Sequence, residues 1–193
     1  MYVVTGAAGF IGSNIAYGLE AAGIGPIAII DRLAEGDKWR NIARCALFNI
    51  VRPENAAEFL DAHANSIEAV IHMGAIPGPL RADGRSIFDN NVNSTFNIMM
   101  AAAEKGIRRV VFSSSAFAMG WAHDGAAFEP QYLPLDEDHP MMPFEPYGLS
   151  KQVGEDIGEM IARNSATTVV SLRFTNVVTP EDQKEFPWPA PTP

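Results

Sequence analysis

Tyr147 and Lys151, four positions apart, have side chains that together could remove a proton from an alcohol. They begin a predicted helix whose first turn suits Pro146, so both side chains are expected on one helix face. A phenol with its ordinary pKa of about 10 is a poor base at neutral pH. Because a neighbouring ammonium favours the tyrosinate, we expect Lys151 to lower the pKa of Tyr147 and make it a usable acid or base.

Three serines, Ser113-Ser114-Ser115, end an apolar run that is predicted to be the fifth strand. Ligands of parallel sheets bind beyond the carboxyl ends of the strands. We therefore expect the Ser115 hydroxyl to hold a substrate oxygen while its charge changes. A tyrosine and a lysine four apart are also common on ordinary solvated helix faces, so the pair gains weight only from its surroundings.

A glycine-rich loop, Gly6-Ala7-Ala8-Gly9-Phe10-Ile11-Gly12, joins the first predicted strand to the first predicted helix. Small residues let the backbone approach a pyrophosphate at the positive end of a helix. Asp31 follows about 20 residues later, at the end of the second strand, where an acid binds the adenosine ribose. The alternative, a tight turn plus an unrelated strand acid, requires this spacing by chance. Asp31 favours NAD, whereas Arg32 and Lys38 keep NADP open as the alternative.

The scaffold predicted around these residues is a doubly wound parallel sheet with helices on both faces, a three-layer α/β/α Rossmann-like fold. The predicted strands span 2–5, 27–31, 46–50, 69–73, 110–113 and 168–173. Helical spacing predicts three buried faces, formed by Phe10, Ile11, Ile15 and Leu19, by Phe88, Val92, Phe96 and Met99, and by Val153, Ile157 and Ile161. The stretch 116–145, rich in glycine, proline and acids, is predicted to be an active-site loop.

Composition excludes several classes of function. The chain of 193 residues is 47% hydrophobic, enough for a core, and its net charge of −9 makes nucleic acid and anionic membranes poor partners. No apolar run approaches the roughly 20 residues of a membrane span, and no leader precedes Tyr2. The single Cys45 favours a reducing, cytoplasmic setting, and the histidines lack the paired spacing of metal ligands, so no metal is expected.

Taken in order, these motifs resemble the extended short-chain dehydrogenase/reductase family, the NAD-dependent epimerase/dehydratase group. The segment Thr5 to Gly12 is similar to its T-G-x-x-G-x-x-G loop, and Tyr147 to Lys151 is similar to its Y-x-x-x-K motif. Further similar segments are Val70-Ile71-His72-Met73-Gly74-Ala75, Asn91-Val92-Asn93-Ser94-Thr95, Ser113-Ser114-Ser115-Ala116 and Arg173-Phe174-Thr175-Asn176.

The resemblance implies site residues one by one. Catalysis would fall to Ser115, Tyr147 and Lys151, and Ser114, Ser115 and Asn176 would contact the substrate. Cofactor contacts are implied for Gly6, Gly9, Phe10, Ile11, Gly12, Asp31, Arg32, Asn49, Ile50, Met73, Gly74, Ala75, Asn91, Ser113, Tyr147 and Lys151. For Asn91, orienting Lys151 or holding a water is weighed evenly against helix packing.

The resemblance also implies a sugar or nucleotide-sugar substrate, a tightly held NAD(P) and a homodimer formed by two helices of each subunit. The leading hypothesis is an epimerase or oxidoreductase in which Tyr147 takes a hydroxyl proton and NAD takes the hydride. One alternative is a net sugar dehydrogenase that releases NADH. Another is an inactive dinucleotide-binding or interaction module, because residues 1–179 would form the NAD(P)-binding domain and the five-proline tail 180–193 would only begin a missing or truncated substrate domain.

The chain departs from the family pattern at several positions. Asn49 replaces an aspartate before the adenine-contacting Ile50, Met119 replaces a tyrosine, and Thr179 replaces a glycine. The Asp-Glu pair of the dehydratases is absent after Ser115, so dehydration is not expected. Residues 1–75 resemble ADP-heptose epimerases, whereas the later part is similar to other sugar epimerases and sugar-acid dehydrogenases.

Overall fold

A single parallel sheet organises the part of the chain that the computed structural model describes, residues 1–33, 36–77, 83–120 and 129–179. Within these residues the strand order is β3-β2-β1-β4-β5-β6, so the winding reverses between β1 and β4. The strands are β1 (Tyr2–Thr5), β2 (Ile27–Ile30), β3 (Asn49–Val51), β4 (Ala69–His72), β5 (Arg109–Ser115) and β6 (Thr168–Phe174). The predicted doubly wound sheet is confirmed, and the predicted tail 180–193 lies outside the described residues.

Helices cover the sheet on both faces. The α-helices are α1 (Phe10–Ala21), α2 (Ala56–His63), α3 (Gly84–Glu104) and α4 (Pro146–Asn164), and short 3-10 turns span Lys38–Asn41, Pro53–Asn55, Ala64–Ser66 and Ala116–Met119. One buried cluster unites Val3, Val70 and Val110 of the sheet with residues of α2, α3 and α4. A smaller cluster contains Val4 and Ile29 of the sheet, together with Ala16 of α1. Successive strand residues face opposite sides, so these two clusters form the two interlayers.

The third strand lies later in the chain than predicted. The pattern predicts 46–50, but β3 pairs with β2 only from Asn49 to Val51. The N–H of Ala46 is bound by the Glu20 side chain at 3.0 Å instead of by a strand. The register sets Val51 beside Ile30 and Asn49 beside Ala28, so Val51 marks the carboxyl end of β3.

Two of the three predicted helix faces are confirmed only in part. On α1, Ile15 and Leu19 pack against the core as predicted, but Phe10 is 50% exposed and the buried residues are the small Gly12, Ser13 and Ala16. On α3, Met99 is buried as predicted, but Phe88 and Phe96 are 38% and 43% exposed, and the other buried residues are Ile87, Asn91, Thr95, Ile98 and Ala102. Close packing against the sheet selects small or polar side chains with partners, so apolar spacing alone includes residues that are left exposed. On α4, Ile161 is buried as predicted.

Among the described residues, none of the helices combines the length and apolarity needed to cross a bilayer.

Candidate active site

The predicted site residues follow the carboxyl ends of neighbouring strands. The glycine loop, Gly6–Gly12, follows β1, Asp31 follows β2, and Met73 follows β4. Ser115 is the last residue of β5. All of these strands run parallel, so the structure brings the residues to one edge of the sheet, which we call the carboxyl edge.

The three glycines of the loop are required for different reasons. Gly6 has a φ of +63°, and a Cβ there would lie 2.7 Å from the Cα of Gly74. A Cβ on Gly12 would overlap the carbonyl oxygen of Gly6. A Cβ on Gly9, by contrast, would meet only the Gly6 carbonyl oxygen, at 3.2 Å. Packing within the chain therefore demands glycine at 6 and 12, whereas Gly9 leaves open space in front of the loop.

The N-terminus of α1 is an uncapped set of hydrogen-bond donors. Gly9 is its N-cap and supplies no side-chain cap. The first backbone N–H groups of a helix have no partner within it, so those of Phe10 and Ile11 suit a phosphate. A cleft of about 440 Å³ continues from them and is lined by Phe10, Ile11, Asn14, Ile15, Val177, Val178 and Thr179. Donors and cleft together fit the pyrophosphate of a dinucleotide.

Backbone N–H groups of two loops hold the carboxylate of Asp31 in place. One oxygen accepts a hydrogen bond from the N–H of Ala8 at 2.9 Å, and the other accepts from Leu33 at 3.0 Å. Asn41, which the sequence reasoning did not single out, donates to the carbonyl of Ala8 at 2.8 Å. A carboxylate accepts several hydrogen bonds, so both oxygens of Asp31 keep capacity for ribose hydroxyls. Arg32 is exposed and engages Asn90 and Glu54.

Asn49 and Ile50 lie before the carboxyl edge, on an exposed part of β3. They pair with Ala28 and Ile29, and the Asn49 side chain accepts a hydrogen bond from the N–H of Ile50 at 2.7 Å. Val51 reaches the edge, where its carbonyl accepts from Asp31 at 3.0 Å. The predicted adenine contact by Asn49 and Ile50 therefore stays a prediction.

A row of buried polar side chains, Thr5, His72 and Thr95, supports the glycine loop from within the sheet and α3. The Thr5 hydroxyl accepts a hydrogen bond from Gly74 N–H at 3.0 Å and lies 2.7 Å from His72 Nδ1. His72 Nε2 lies 3.1 Å from the hydroxyl of Thr95. Burial, with a smaller contribution from the charge of Lys151, lowers the pKa of His72 to about 3, so its ring is neutral. Sequence reasoning treated His72 as packing and missed this link, although a histidine inside an apolar strand was the available signal.

Asn91 is a buried clamp between a loop and a helix. Its side-chain oxygen accepts from the N–H of Ile76 at 2.7 Å, and its amide nitrogen donates to the Ile76 carbonyl at 3.1 Å. The same nitrogen reaches the hydroxyl of Ser150 at 3.2 Å. Asn91 thus joins the segment after β4 to α4 through Ser150, the residue before Lys151.

The predicted chemical group is assembled between α4 and β5. The Ser115 side chain lies close enough to the phenol of Tyr147 to lower its pKa. Lys151 is buried, and its Nζ donates to the carbonyl of Ser113 at 2.6 Å. Nζ also lies 5.5 Å from the centre of the Tyr147 ring. The structure therefore brings Ser113, Ser115, Tyr147 and Lys151 together as predicted.

The predicted electrostatic role of Lys151 is wrong for this arrangement. Burial raises the pKa of Tyr147, the hydrogen bond from Ser115 lowers it, and the charge of Glu145 raises it. Lys151 is turned to the carbonyl of Ser113, and burial lowers the pKa of Lys151 itself to about 8. Desolvation disfavours both charged forms, so it dominates over attraction between phenolate and ammonium here.

Glu145 fixes the start of α4 and was missed by sequence reasoning, which identified only Pro146. Its carboxylate accepts from the N–H of Tyr147 at 2.7 Å and from that of Gly148. A Cβ on Gly148 would overlap the Phe117 carbonyl, so the first turn of α4 packs tightly on the 3-10 turn that follows β5. The signal was an acid directly before a proline at the predicted helix start.

Ser114 does not join the site, and its predicted substrate contact is wrong. It is 1% exposed, and its hydroxyl donates to the carboxylate of Glu155 on α4. Side chains alternate along a strand, so Ser114 lies on the face of the sheet that α4 covers, whereas the side chains of Ser113 and Ser115 leave the strand on the opposite face. Asn176 follows β6 and is exposed near the carboxyl edge, so its substrate contact stays a prediction.

Within the described ranges, no three histidine, cysteine, aspartate or glutamate side chains are grouped as a metal site would require.

Comparison with known proteins identifies a family that matches nearly the whole chain. Residues 2–188 match the family model described as the NAD dependent epimerase/dehydratase family. An ADP-L-glycero-D-manno-heptose-6-epimerase of Fusobacterium nucleatum is 34% identical over 185 residues, which cover 94% of this chain and 54% of that protein. A putative UDP-glucose 4-epimerase of Methanocaldococcus jannaschii is 37% identical over 182 residues, which cover 92% of this chain and 56% of that protein. The chain thus spans about half the length of these relatives.

Solved structures agree. A UDP-glucose 4-epimerase from Brucella ovis in complex with NAD has a TM-score of 0.76 at 27% identity, covering 91% of this chain and 51% of that one. A short-chain dehydrogenase/reductase superfamily protein from Agrobacterium tumefaciens with bound NAD has a TM-score of 0.72 at 31% identity, covering 90% of this chain and 48% of that one. The glycine loop and the tyrosine and lysine of α4 both lie within the matched residues, and this chain belongs to the NAD-dependent epimerase/dehydratase family.

Proposed function

We propose that residues 1–179 form the dinucleotide-binding unit of an NAD-dependent sugar or nucleotide-sugar epimerase or oxidoreductase. The observation that carries the proposal is the placement of Ser115, Tyr147 and the buried Lys151 at the same sheet edge as an uncapped helix N-terminus. A proton-transfer group and a phosphate-binding group on one edge suit an alcohol oxidation that uses a bound dinucleotide.

NAD would lie across the carboxyl edge. The first-turn N–H groups of α1 would hold its pyrophosphate, in the space that Gly9 leaves open. Asp31 would accept hydrogen bonds from the adenosine ribose and disfavour a 2′-phosphate, which supports NAD over NADP. The solved relatives with bound NAD support the same cofactor.

Proton transfer falls to the side chains between α4 and β5. When bound, NAD accepts a hydride from the substrate carbon. A substrate hydroxyl would insert between the Ser115 and Tyr147 side chains. Burial keeps the phenol of Tyr147 protonated at neutral pH, so it is ready as an acid, whereas its action as a base relies on Ser115 to stabilise the phenolate. Lys151, held beside the Ser113 carbonyl, would contribute a contact to the bound cofactor.

Cofactor binding is tested with two matched glycine variants. Gly9→Ala places a methyl group where the pyrophosphate would lie, so we expect NADH affinity to fall by about tenfold or more, which corresponds to about 1.4 kcal/mol or more. Gly18→Ala adds the same methyl group to α1 where nothing lies within 4 Å, and should leave affinity unchanged. Fluorescence titration with NADH gives both values. Equal affinities for the two variants would contradict the proposed binding mode.

The chemical assignment is tested by Tyr147→Phe. The variant should bind NADH like the parent but lose conversion of UDP-glucose in the presence of NAD, because only the proton path is removed. Formation of the epimer without net NADH selects an epimerase, and accumulating NADH selects a net dehydrogenase. Parent protein that binds NADH without converting a panel of sugar nucleotides would instead indicate an inactive dinucleotide-binding module.

A homodimer and a cytoplasmic location complete the proposal. Phe88 and Phe96 on α3 and Leu149 on α4 leave large apolar side chains exposed on two neighbouring helices. Such a surface suits isologous pairing of these helices with a second copy. Phe96→Glu should convert a dimer to a monomer in sedimentation experiments, and an unchanged mass would contradict the interface. The single Cys45 supports a reducing compartment.

A further inference from the structure

Glu155, on α4, is a mostly but not fully buried carboxylate outside the group that would touch substrate or cofactor. Its neighbours Tyr147 and Lys151 precede it by eight and four residues, so the three share one face of the helix. Each of the three contacts a different member of the serine triplet that ends β5. The Tyr147 phenol lies near the Ser115 side chain, Lys151 donates to the Ser113 carbonyl, and Glu155 accepts from the Ser114 hydroxyl. The helix thus meets the strand through three consecutive polar contacts.

Glu155 also anchors the neighbouring strand. The Arg173 guanidinium on β6 donates through Nε to one carboxylate oxygen of Glu155 at 3.1 Å and through Nη2 to the other at 3.0 Å. Only 19% of the Arg173 side chain and 13% of the Glu155 side chain are exposed. A bidentate charged pair of this kind fixes both distance and orientation. Exposed ion pairs, such as Arg163 with Glu159, are screened by water and fix the position of their side chains much less.

The same arginine reaches the segment that leads into α4. Nη1 of Arg173 donates to the carbonyl of Glu137 at 3.1 Å. That segment ends at Glu145, which caps α4 beside Tyr147. One carboxylate therefore connects β5, β6 and α4, and through Arg173 it also connects the segment before α4.

We propose that Glu155 is a positioning residue that sets the register of α4 against the serine triplet, and thereby the distance between the Tyr147 phenol and Ser115. The physical reason is that glycines bring α4 close to the sheet, near enough for one side chain to bond two strands. A Cβ on Gly154 would overlap the Phe112 ring of β5, and one on Gly158 would lie 2.9 Å from a methyl group of Val169 on β6. This packing sets the separation of helix and sheet, and the directional bonds from Glu155 to Ser114 and Arg173 fix the position of the helix relative to both strands. This inference rests on the proposed function, since it assigns importance to the phenol and Ser115.

The test observes the phenol directly and needs no substrate. The 193-residue chain is prepared with isotope-labelled tyrosine rings, and the Tyr147 resonance among the four tyrosines is assigned by its loss in Tyr147→Phe. Ser115→Ala defines the resonance shift that follows when the phenol loses its partner. Glu155→Gln removes the charge that holds Arg173, and Ser114→Ala removes the anchor on β5 while keeping the ion pair.

We expect Glu155→Gln and Ser114→Ala to shift the Tyr147 resonance by at least half of the shift that Ser115→Ala produces. Glu159→Gln is the matched control, with the same substitution one turn further along α4 in an exposed pair, and should leave the resonance in place. A purely structural Glu155 would lower the melting temperature and leave the Tyr147 resonance unshifted in both variants, which would overturn the proposal. If Glu155→Gln does not fold, Ser114→Ala decides alone. The readout is independent of turnover, so it distinguishes failure of this inference from failure of the proposed function.

Discussion

The two ends of the carboxyl edge are built from different materials. At the cofactor end, the backbones of Gly6, Gly12 and Gly74 press against one another, and the exposed donors are peptide N–H groups. At the chemical end, side chains of α4 hydrogen-bond the serine triplet, and the mostly buried ion pair of Glu155 with Arg173 lies next to them. The first end is defined by absent side chains and the second by bonds between side chains. A motif of small residues therefore specifies the first, whereas the second depends on long-range partners.

The largest effect is expected from crowding the backbone contact at the cofactor end. Gly6→Ala adds a Cβ against Gly74 in a residue whose φ is +63°, and should lower the free energy of unfolding by about 3 to 5 kcal/mol through strain and overpacking together. Gly23→Ala is the control, because Gly23 has a similar φ of +70° and nothing within 4 Å. It should lose only about 1 to 2 kcal/mol. Denaturant unfolding measures both, and equal losses would refute the claim that loop packing defines this end.

At the chemical end, the buried Lys151 makes stability depend on alkaline pH. Burial lowers its pKa to about 8 from an ordinary 10.5, so between these values the unfolded chain binds a proton that the folded chain does not. The free energy of unfolding of the parent, relative to Lys151→Met, should therefore rise with pH across this interval, by about 3 kcal/mol in total. Below pH 8 the difference should be flat. Unfolding curves at several pH values measure it, and a difference independent of pH up to 10.5 would show that Lys151 is not desolvated.

The smallest effect is expected from the helix cap beside the phenol. Glu145→Ala removes the acceptor for two backbone N–H groups and should lower the free energy of unfolding by about 1 kcal/mol. The Asp83 carboxylate caps α3 by accepting a hydrogen bond from the N–H of Ser86 at 3.0 Å. Asp83→Ala removes this cap and should have a similar effect on stability.

The two cap variants should differ at Tyr147. Only Glu145→Ala removes a charge that raises the pKa of the phenol, so the pKa of Tyr147 should fall in that variant and stay constant in Asp83→Ala. Spectrophotometric titration against Tyr147→Phe isolates the phenol. A matching fall in both variants would place the effect in general loosening of the fold.

The sequence was sufficient for the features that depend on local pattern. Alternating strands and helices predict the sheet, and the glycine spacing predicts the loop, because each follows from backbone sterics over a few residues. The same holds for Tyr147 and Lys151, whose spacing on one helix face is independent of the rest of the chain. These features share short sequence separations.

Apart from the local cap by Glu145, the features that sequence reasoning missed depend on distant partners. Ser114 was assigned to substrate, but its hydroxyl donates to Glu155, which is paired with Arg173, and both residues lie far along the chain. Lys151 was expected to lower the pKa of Tyr147, but burial, which depends on the whole fold, has the opposite effect. The exposed Phe88 and Phe96 show the same limit, since apolar spacing cannot tell a face against the sheet from one left open.

The central claim is that one dinucleotide spans both ends of the carboxyl edge, and its most direct test compares NADH with ADP on tyrosine-labelled protein. ADP offers phosphates and adenosine but no nicotinamide, so it should compete with NADH at the glycine loop and leave the Tyr147 ring resonance in place. Saturating NADH should shift that resonance, because its nicotinamide would lie beside the phenol. A Tyr147 resonance that stays fixed under saturating NADH would contradict the account.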